Sequence, residues 1–499
     1  MITARIGSKC YRLPENLEDY FNKFRSEIIG IDQKFHSPFG MKPIIYADWT
    51  ASGRLFRPIE QKISEVFGPF MANTHTESNI TSLMMTGIYN QSRKIIKEHV
   101  NADENDALIL DGFGMTSVMN KLQRLLGLRV PEQWRDSMKI AEKPIVFLTH
   151  MEHHSNHTSW LETMADVEII RPDARGGIDV SHLEHLLYHY RDRGIKIGSF
   201  TACSNVTGIQ TPYHQLAKIM HRHGGLCFVD FAASAPYVRI DMHPKDPMEK
   251  LDAILFSPHK FLGGPGTSGV LLFDKRIYTS KVPDHPGGGT VTWTNPWGGH
   301  QYIKDIELRE DGGTPGILQA IRTALCIKLK EQMGVENILK REKEQLKLLL
   351  TGLEKIPNLH VLESHQRNRI GIVSFTVTNI HYNLIVRLLN DRFGFQVRGG
   401  CSCAGTYGHY LLKIDQNKSK QISNKIDLGD LSSKPGWVRF SIHPVMSNAE
   451  IQMFIKAMKE ITTNIVDWKN DYVYDPATND YFYTKHTRED MSVFFNLEE

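Results

Sequence analysis

The sequence predicts an α/β protein, a large domain built on a mostly parallel sheet and followed by a smaller α+β domain. Two observations carry this. Short, nearly all-apolar runs recur between longer mixed segments from about residue 44 to residue 276, as expected of buried strands with helices covering both faces of a sheet. A Gly- and Pro-rich stretch at 283–316 then divides this region from a long helical segment and a C-terminal part of mixed character.

In order along the chain, the runs at 107–110, 145–148, 167–170, 197–200, 226–229, 253–256 and 270–273 each read as a buried strand. Helix-like stretches at 117–126 and 213–223 lie between them, and Gly224-Gly225 supplies a helix stop. Strands alternating with helices are βαβ organisation, hence an α/β domain. Beyond residue 316, Ile317, Ile321, Leu325 and Leu329 fall four apart on one helical face. Gly334 interrupts that pattern, and Ile338, Leu339, Leu346, Leu349 and Leu353 resume it. The α+β part runs from 359 to about 462, with strands expected at 370–378 and 437–442. The expected division is an N-terminal segment, 1–45, packed on the small domain; a large domain, 46–315; linking helices, 316–355; a small domain, 356–465; and an extension, 466–499, rich in Asp, Asn and Tyr and read as an extended arm. No internal repeat or low-complexity tract is found.

Composition narrows the function classes. The 499 residues carry 59 Lys and Arg against 56 Asp and Glu, a formal net charge of +3. That balance is too even to make nucleic acid or an anionic membrane the main partner. No apolar stretch approaches the ~20 residues a membrane span needs, and residues 1–40 lack the apolar core of a secretory signal. Six cysteines without a regular framework suit a reducing compartment, so a cytoplasmic location is expected.

The chemistry concentrates in a few segments. In Ser257-Pro-His-Lys260 a lysine follows a buried strand and precedes a run of glycines and small residues. A partly desolvated lysine can form an imine with an aldehyde, and Ser257 and His259 beside it suit a phosphate. The alternative is a solvated lysine in a glycine loop. Asp230 ends the 226–229 strand, so its carboxylate emerges at the carboxyl edge of the sheet, where ligands of open α/β sheets bind. There it can pair with a protonated pyridine nitrogen, or simply cap the next turn. Gly112-Phe-Gly-Met-Thr116 leaves another strand and opens a helix, whose first amides, with the Thr116 hydroxyl, suit a phosphate dianion.

Taken in order, Gly114-Met115-Thr116, Glu152-His-His-Ser-Asn156, Ser204-Asn-Val-Thr-Gly208, Asp230 and Ser257-Pro-His-Lys260 resemble the class V aminotransferase family. Within it the chain is most similar to cysteine desulfurases and selenocysteine lyases, from about Asp48 to Ile461. The resemblance implies a fold-type I enzyme with a seven-stranded sheet, and pyridoxal 5'-phosphate carried as a Schiff base on Lys260. It implies that His153 stacks on the pyridine ring and shuttles protons, that Asn205 lies near the phenolic oxygen and that Asp230 holds the ring nitrogen. Gly114, Met115, Thr116, Ser257 and His259 would bind the phosphate. Thr314, in Asp311-Gly-Gly-Thr-Pro315, resembles the segment that reaches the phosphate from a neighbouring subunit, which implies a homodimer.

A second segment, Val397-Arg-Gly-Gly-Cys-Ser-Cys-Ala-Gly405, is similar to the substrate and nucleophile site of desulfurases. There Arg398 matches the residue that grips the substrate carboxylate. Cys403 matches the nucleophile that takes sulfur as a persulfide and leaves alanine; Cys401 falls outside the matching position. Buried packing or incidental metal affinity is the alternative for this cysteine pair. Gly399, Gly400, Gly405 and Gly408 argue against a packed loop, and Arg398 supplies the electropositive setting that thiolate reactivity needs. His153, His154 and His157 have no acidic or cysteine partner close in sequence, so no metal is assigned to them. A sulfur-acceptor protein is an implied partner. The chain departs from the desulfurase pattern at Ala233 for Gln, at Ser117 for an acid, in a longer 290–309 stretch, and in the added tail. The missing Gln keeps open an aminotransferase, epimerase or lyase on the same scaffold, and a scaffold protein without catalysis is the non-enzyme alternative.

Overall fold

A computed structural model describes residues 16–74, 78–135, 137–138, 142–485 and 490–497. The seven apolar runs form one sheet: β1 (Asp106–Asp111), β2 (Ile145–Thr149), β3 (Asp166–Ile170), β4 (Lys196–Thr201), β5 (Leu226–Asp230), β6 (Ala253–Phe256) and β7 (Gly269–Asp274). Their order is β1-β7-β6-β5-β4-β2-β3, with β7 antiparallel to both neighbours and the β6-to-β3 pairs parallel. Val146, Phe147, Leu148, Ile254, Leu255 and Leu271 are fully buried because helices cover both faces, and that is why these strands carry no polar alternation.

Helices α1 (Leu17–Arg25), α2 (Ile80–His99), α3 (Met115–Leu125) and α4 (His154–Leu161) precede or interleave with the strands, and α5 (Ile317–Met333) and α6 (Val335–Leu353) follow them. Val118, Met119, Leu122 and Leu125 of α3 recur at three- and four-residue intervals and all pack into the core against β1 and β7. Gly334 separates α5 from α6 at a φ of 78°, a left-handed conformation that favours glycine.

The smaller sheet contains β8 (Leu359–Val361), β9 (Ile372–Val377), β10 (Arg398–Gly400) and β11 (Trp437–Ser441), antiparallel in the order β8-β9-β11-β10. Helix α7 (Gly405–Leu411) follows β10, and α8 (Asn448–Trp468) opens with a Ser447–Glu450 capping box. Helix α1 docks here through Arg25, which forms a two-pronged pair with Glu450 at 2.9 Å. Ile45–Tyr46 pairs in parallel with Phe395–Gln396, and Asp48 bridges to Ser441 of β11. That short pairing carries Asp48 to the junction of the two sheets.

The tail departs from the extended arm expected of it. Helix α8 continues to Trp468, and β12 (Tyr472–Asp475) and β13 (Asp480–Tyr483) form a hairpin. Buried Tyr472, an Asn479 Nδ2 donor to the Tyr382 hydroxyl at 2.6 Å and an Arg387–Asp480 pair at 2.8 Å fold it back on the small domain. Among the described residues, no helix is long and apolar enough to cross a membrane.

Helix α3 is anchored by charge as well as apolar packing. Lys121 is buried with its ammonium 3.2 Å from Glu310 and 3.6 Å from Asp284, and Arg124 also holds Asp284 at 2.6 Å. Removing one member of such a set strands the others in low dielectric. Lys121→Ala should therefore lower stability by about 3 kcal/mol, read as a reduced urea midpoint, while Lys121→Met combined with Glu310→Gln should recover part of that loss.

Candidate active site

Strand ends and two loops converge on one cavity of about 320 Å³ between the sheets, at the small end of the range for cofactor sites. Its wall contains Gly114, Met115, Thr116, His153, Asn205, Asp230, Ser257, His259, Lys260, Arg398 and Cys403, all singled out from sequence. Thr314 lies elsewhere, accepting a hydrogen bond from Asn73 Nδ2 at 3.3 Å.

Lys260 closes the single helical turn Pro258–Lys260 just after β6. Burial pushes its ammonium down to about 8, a shift resisted by the nearby Asp230 carboxylate. Asp230, at the end of β5, is buried and pushed up to about 6 by desolvation, although the Ala232 amide donates to it at 2.8 Å. Among the described residues Asp230 accepts from that amide, with the Lys260 charge nearby, so this buried carboxylate suits a further cationic partner. His153 starts α4 and accepts from the Ser155 amide through Nδ1 at 3.1 Å, which leaves Nε2 as the protonated nitrogen of a neutral ring. Burial, with Lys260 nearby, pushes its pKa down to about 3, so the ring is an uncharged face.

The phosphate-like corner is built from close approaches. Ser257 Oγ accepts from the Met115 amide at 2.8 Å, and His259 Nδ1 donates to the Phe113 carbonyl at 3.0 Å. A Cβ on Gly114 would lie 2.8 Å from His259 and 3.0 Å from Ser257 Oγ, so glycine is required to bring the start of α3 against them. Ser257 Oγ takes the Met115 amide and Gly114 offers no side chain to the amides after it, which leaves the rest of that amino end open to an anion. On the opposite wall Asn205 Nδ2 donates to the Ser402 carbonyl at 2.7 Å, while its Oδ1 is buried without a partner. That orphaned atom, the uncapped cradle and the Asp230–Lys260 pair fit a phosphorylated, cationic aromatic aldehyde.

Cys403 sits in a strained turn. The Ala404 amide donates to the Cys401 carbonyl at 3.0 Å, and Ser402 and Cys403 between them have φ of 51° and 56°. Left-handed non-glycine residues cost on the order of 1–2 kcal/mol each. The Ser402 carbonyl bonded to Asn205, the Cys403 carbonyl bonded to the His154 amide at 2.8 Å, and Trp437 Nε1 donating to Ser402 Oγ at 3.2 Å hold the turn. The Cys403 side chain is exposed and faces the cavity, whereas Cys401 is half-buried against the core and lies outside the cavity wall.

The sequence reading missed two residues. Arg439, in the middle of the buried strand β11, lines the cavity and donates to Asp48 Oδ1 at 2.7 Å and to the Asn205 carbonyl at 3.1 Å. Asp48 accepts from Arg398 Nε through its other oxygen at 3.0 Å, so one carboxylate serves two guanidinium groups. An arginine flanked by Trp, Val, Phe and Ser in an otherwise apolar strand was the signal available for Arg439. Asp48 gave none, because its role depends on the Ile45–Tyr46 pairing.

The aminotransferase class-V family model matches residues 45–454. The chain belongs to that family. Among class-V relatives, a probable cysteine desulfurase of Pyrococcus abyssi is 26% identical over 436 residues, covering 85% of this chain and 95% of the relative. A probable cysteine desulfurase of Halalkalibacterium halodurans is 26% identical over 367 residues, covering 72% and 84%. The solved cysteine desulfurase of Thermococcus onnurineus has the same fold, with a TM-score of 0.70 at 24% identity over 89% of this chain and 98% of that one. An Escherichia coli cysteine desulfurase gives 0.69 at 18% identity, with coverage of 89% and 98%.

The Lys260 environment sets a pH dependence. Imine formation needs the free amine, whose fraction rises as pH rises through the amine's pKa. In cofactor-free protein, the rate of borohydride-trapped labelling of Lys260 by a pyridoxal probe should rise with a midpoint near 8. Asp230→Asn removes the charge that favours the ammonium and should move that midpoint lower.

Proposed function

We propose that this class-V enzyme is a pyridoxal 5'-phosphate-dependent desulfurase that removes sulfur or selenium from cysteine or selenocysteine and leaves alanine. The observation that carries the reading is the exposed Cys403 thiol, held on a strained turn and facing the same cavity as Lys260, Asp230 and two arginines. Names of relatives add weight to it.

Lys260 would hold the cofactor through its ε-amino group, Asp230 its ring nitrogen, Asn205 the phenolic side, and Gly114, Met115, Thr116, Ser257 and His259 its phosphate. When bound, the cofactor supplies an electron sink for negative charge at the substrate α-carbon. The chain's residues do the rest. Lys260, with a pKa near 8, accepts and returns a proton at neutral pH. Arg439 and Arg398 share one carboxylate, Asp48, so the group keeps net positive charge for the substrate carboxylate. The Cys403 sulfur attacks the substrate sulfur, the carbon–sulfur bond breaks with its electron pair left on carbon, which takes up a proton on the way to alanine, and the sulfur stays on Cys403 as a persulfide for an acceptor protein. Neutral His153 covers one face of the site without adding charge. A homodimer in which Thr314 of one copy reaches the other copy's phosphate completes the proposal.

Borohydride should trap a phosphopyridoxyl group on Lys260, and Lys260→Ala should fold without turning over. Cys403→Ala should reduce persulfide and sulfide release to background with the cofactor still bound, whereas Cys401→Ala should do less. Arg439→Lys should raise KM roughly ten- to hundredfold through the lost charged hydrogen bonds. Ala233 in the cavity wall is the feature that favours another class-V reaction. Keto-acid production that survives Cys403→Ala and depends on Arg439 would establish that reaction instead. Light scattering that finds a fully active monomer would remove the shared-site dimer.

A further inference from the structure

We propose that Asp103, Asp106 and His243 form a binding site for a zinc-class divalent ion at the edge of the large sheet remote from the cavity. Asp106 begins β1, whereas the phosphate-like corner follows its other end at Gly112. Six strand residues place the two about 17 Å apart. The site is therefore independent of the proposed desulfurase chemistry.

One ligand atom from each of the three side chains lies within 4.8 Å of the others. His243 Nε2 is 2.6 Å from Asp106 Oδ2 and 3.9 Å from Asp103 Oδ2. A tetrahedral ion with bonds of about 2.0–2.1 Å sets its ligand atoms about 3.4 Å apart. The two observed separations bracket that value, so small side-chain rotations suffice. Two carboxylates and a neutral imidazole carry the charge that a divalent ion balances, and imidazole selects zinc-class ions over magnesium or calcium.

The independent sign is the buried carboxylate itself. Asp106 is 1% exposed, and its Oδ1 has no hydrogen-bond partner although the same carboxylate faces His243. A buried carboxylate oxygen with nothing to accept is costly, and a metal ion is one of the few partners that removes the cost. The surrounding loops hold the ligands in place. The Asp103 amide donates to Asp106 Oδ2 at 2.8 Å, the Asn105 amide to Asp103 Oδ1 at 2.7 Å, and the His243 amide to Asp241 Oδ1 at 3.2 Å. Asn101 Nδ2 donates to Asp241 and to the His243 carbonyl. Lys97 nearby is engaged by the Asp106 carbonyl and by Glu307, and Lys275 by the Glu104 carbonyl. Exposed Asp103 leaves the site open to solvent. On binding, zinc would replace the direct His243–Asp106 contact and would tie the loop after α2 to the loop at 240–243.

Chelator-treated holoenzyme dialysed against zinc and analysed by mass spectrometry tests this directly. Wild type should retain one zinc per chain that both His243→Ala and Asp103→Asn lose, with affinity reduced at least about tenfold. Zinc at about a hundredfold over the wild-type Kd should raise Tm in wild type and raise it clearly less in both variants. Cobalt distinguishes the other ligand class, because binding at the Cys401 and Cys403 thiols gives an intense sulfur charge-transfer band that an oxygen and nitrogen site lacks. Equal zinc content in wild type and in exposed-site Asp103→Asn, a thiolate band for the only bound cobalt, or no retained zinc would each overturn the proposal.

Discussion

The constraint on which the rest of the site depends is charge balance among buried groups of one cavity. Lys260, Arg398 and Arg439 bring three cations to its wall, and Asp230 and Asp48 bring two carboxylates. Desolvation alone moves Lys260 down and Asp230 up, so neither is stable as an isolated charge. The surplus of positive charge and the uncapped start of α3 ask for anions from a ligand. A phosphate at one end and a carboxylate at the other satisfy both demands, and this asymmetry orients whatever enters.

That balance also explains why the cavity lies between two sheets. Asp230, Ser257 and Lys260 come from the carboxyl ends of β5 and β6, and Asp48 from a short strand-like segment paired with the small domain. Arg398, Cys403 and Arg439 come from the small domain itself. The Asn205 amide and the Arg439 guanidinium cross the junction, one to the Ser402 carbonyl and the other to the Asn205 carbonyl. Separating the sheets would break both bonds. The left-handed Ser402 and Cys403 are held in part by the same contacts, so the strain in this turn is offset by the docking of the two sheets.

Much of this was legible in the sequence because local pattern decided it. Short apolar runs marked all seven strands of the large sheet, including the only partly buried edge strand β3, and a single Gly334 marked the α5–α6 break. Lys260, Asp230 and Gly114 stood out because each occupies the end of such a run. Arg439 and Asp48 were not legible, since their partnership joins residues 391 positions apart through the pairing of Ile45–Tyr46 with Phe395–Gln396. The tail was misjudged for a related reason: its polar composition resembles an arm, and residues distant in sequence, among them Tyr382, Asn383, Arg387 and Asp391, give Asn479, Asp480 and Tyr472 something to fold against. The resemblance separated the two cysteines of the 401–403 loop, and the turn geometry agrees with it by facing Cys403 to the cavity and packing Cys401 outside it.

The central claim is that sulfur passes to Cys403 and to no other thiol of the chain. Mass spectrometry of the wild-type holoenzyme, mixed with cysteine without acceptor and quenched by alkylation, measures this most directly. One additional sulfur on the Cys403 peptide, formed in equal amount with alanine, is the predicted result. Alanine without that modification, extra sulfur confined to the Cys401 thiol, or a keto acid in place of alanine would contradict the account.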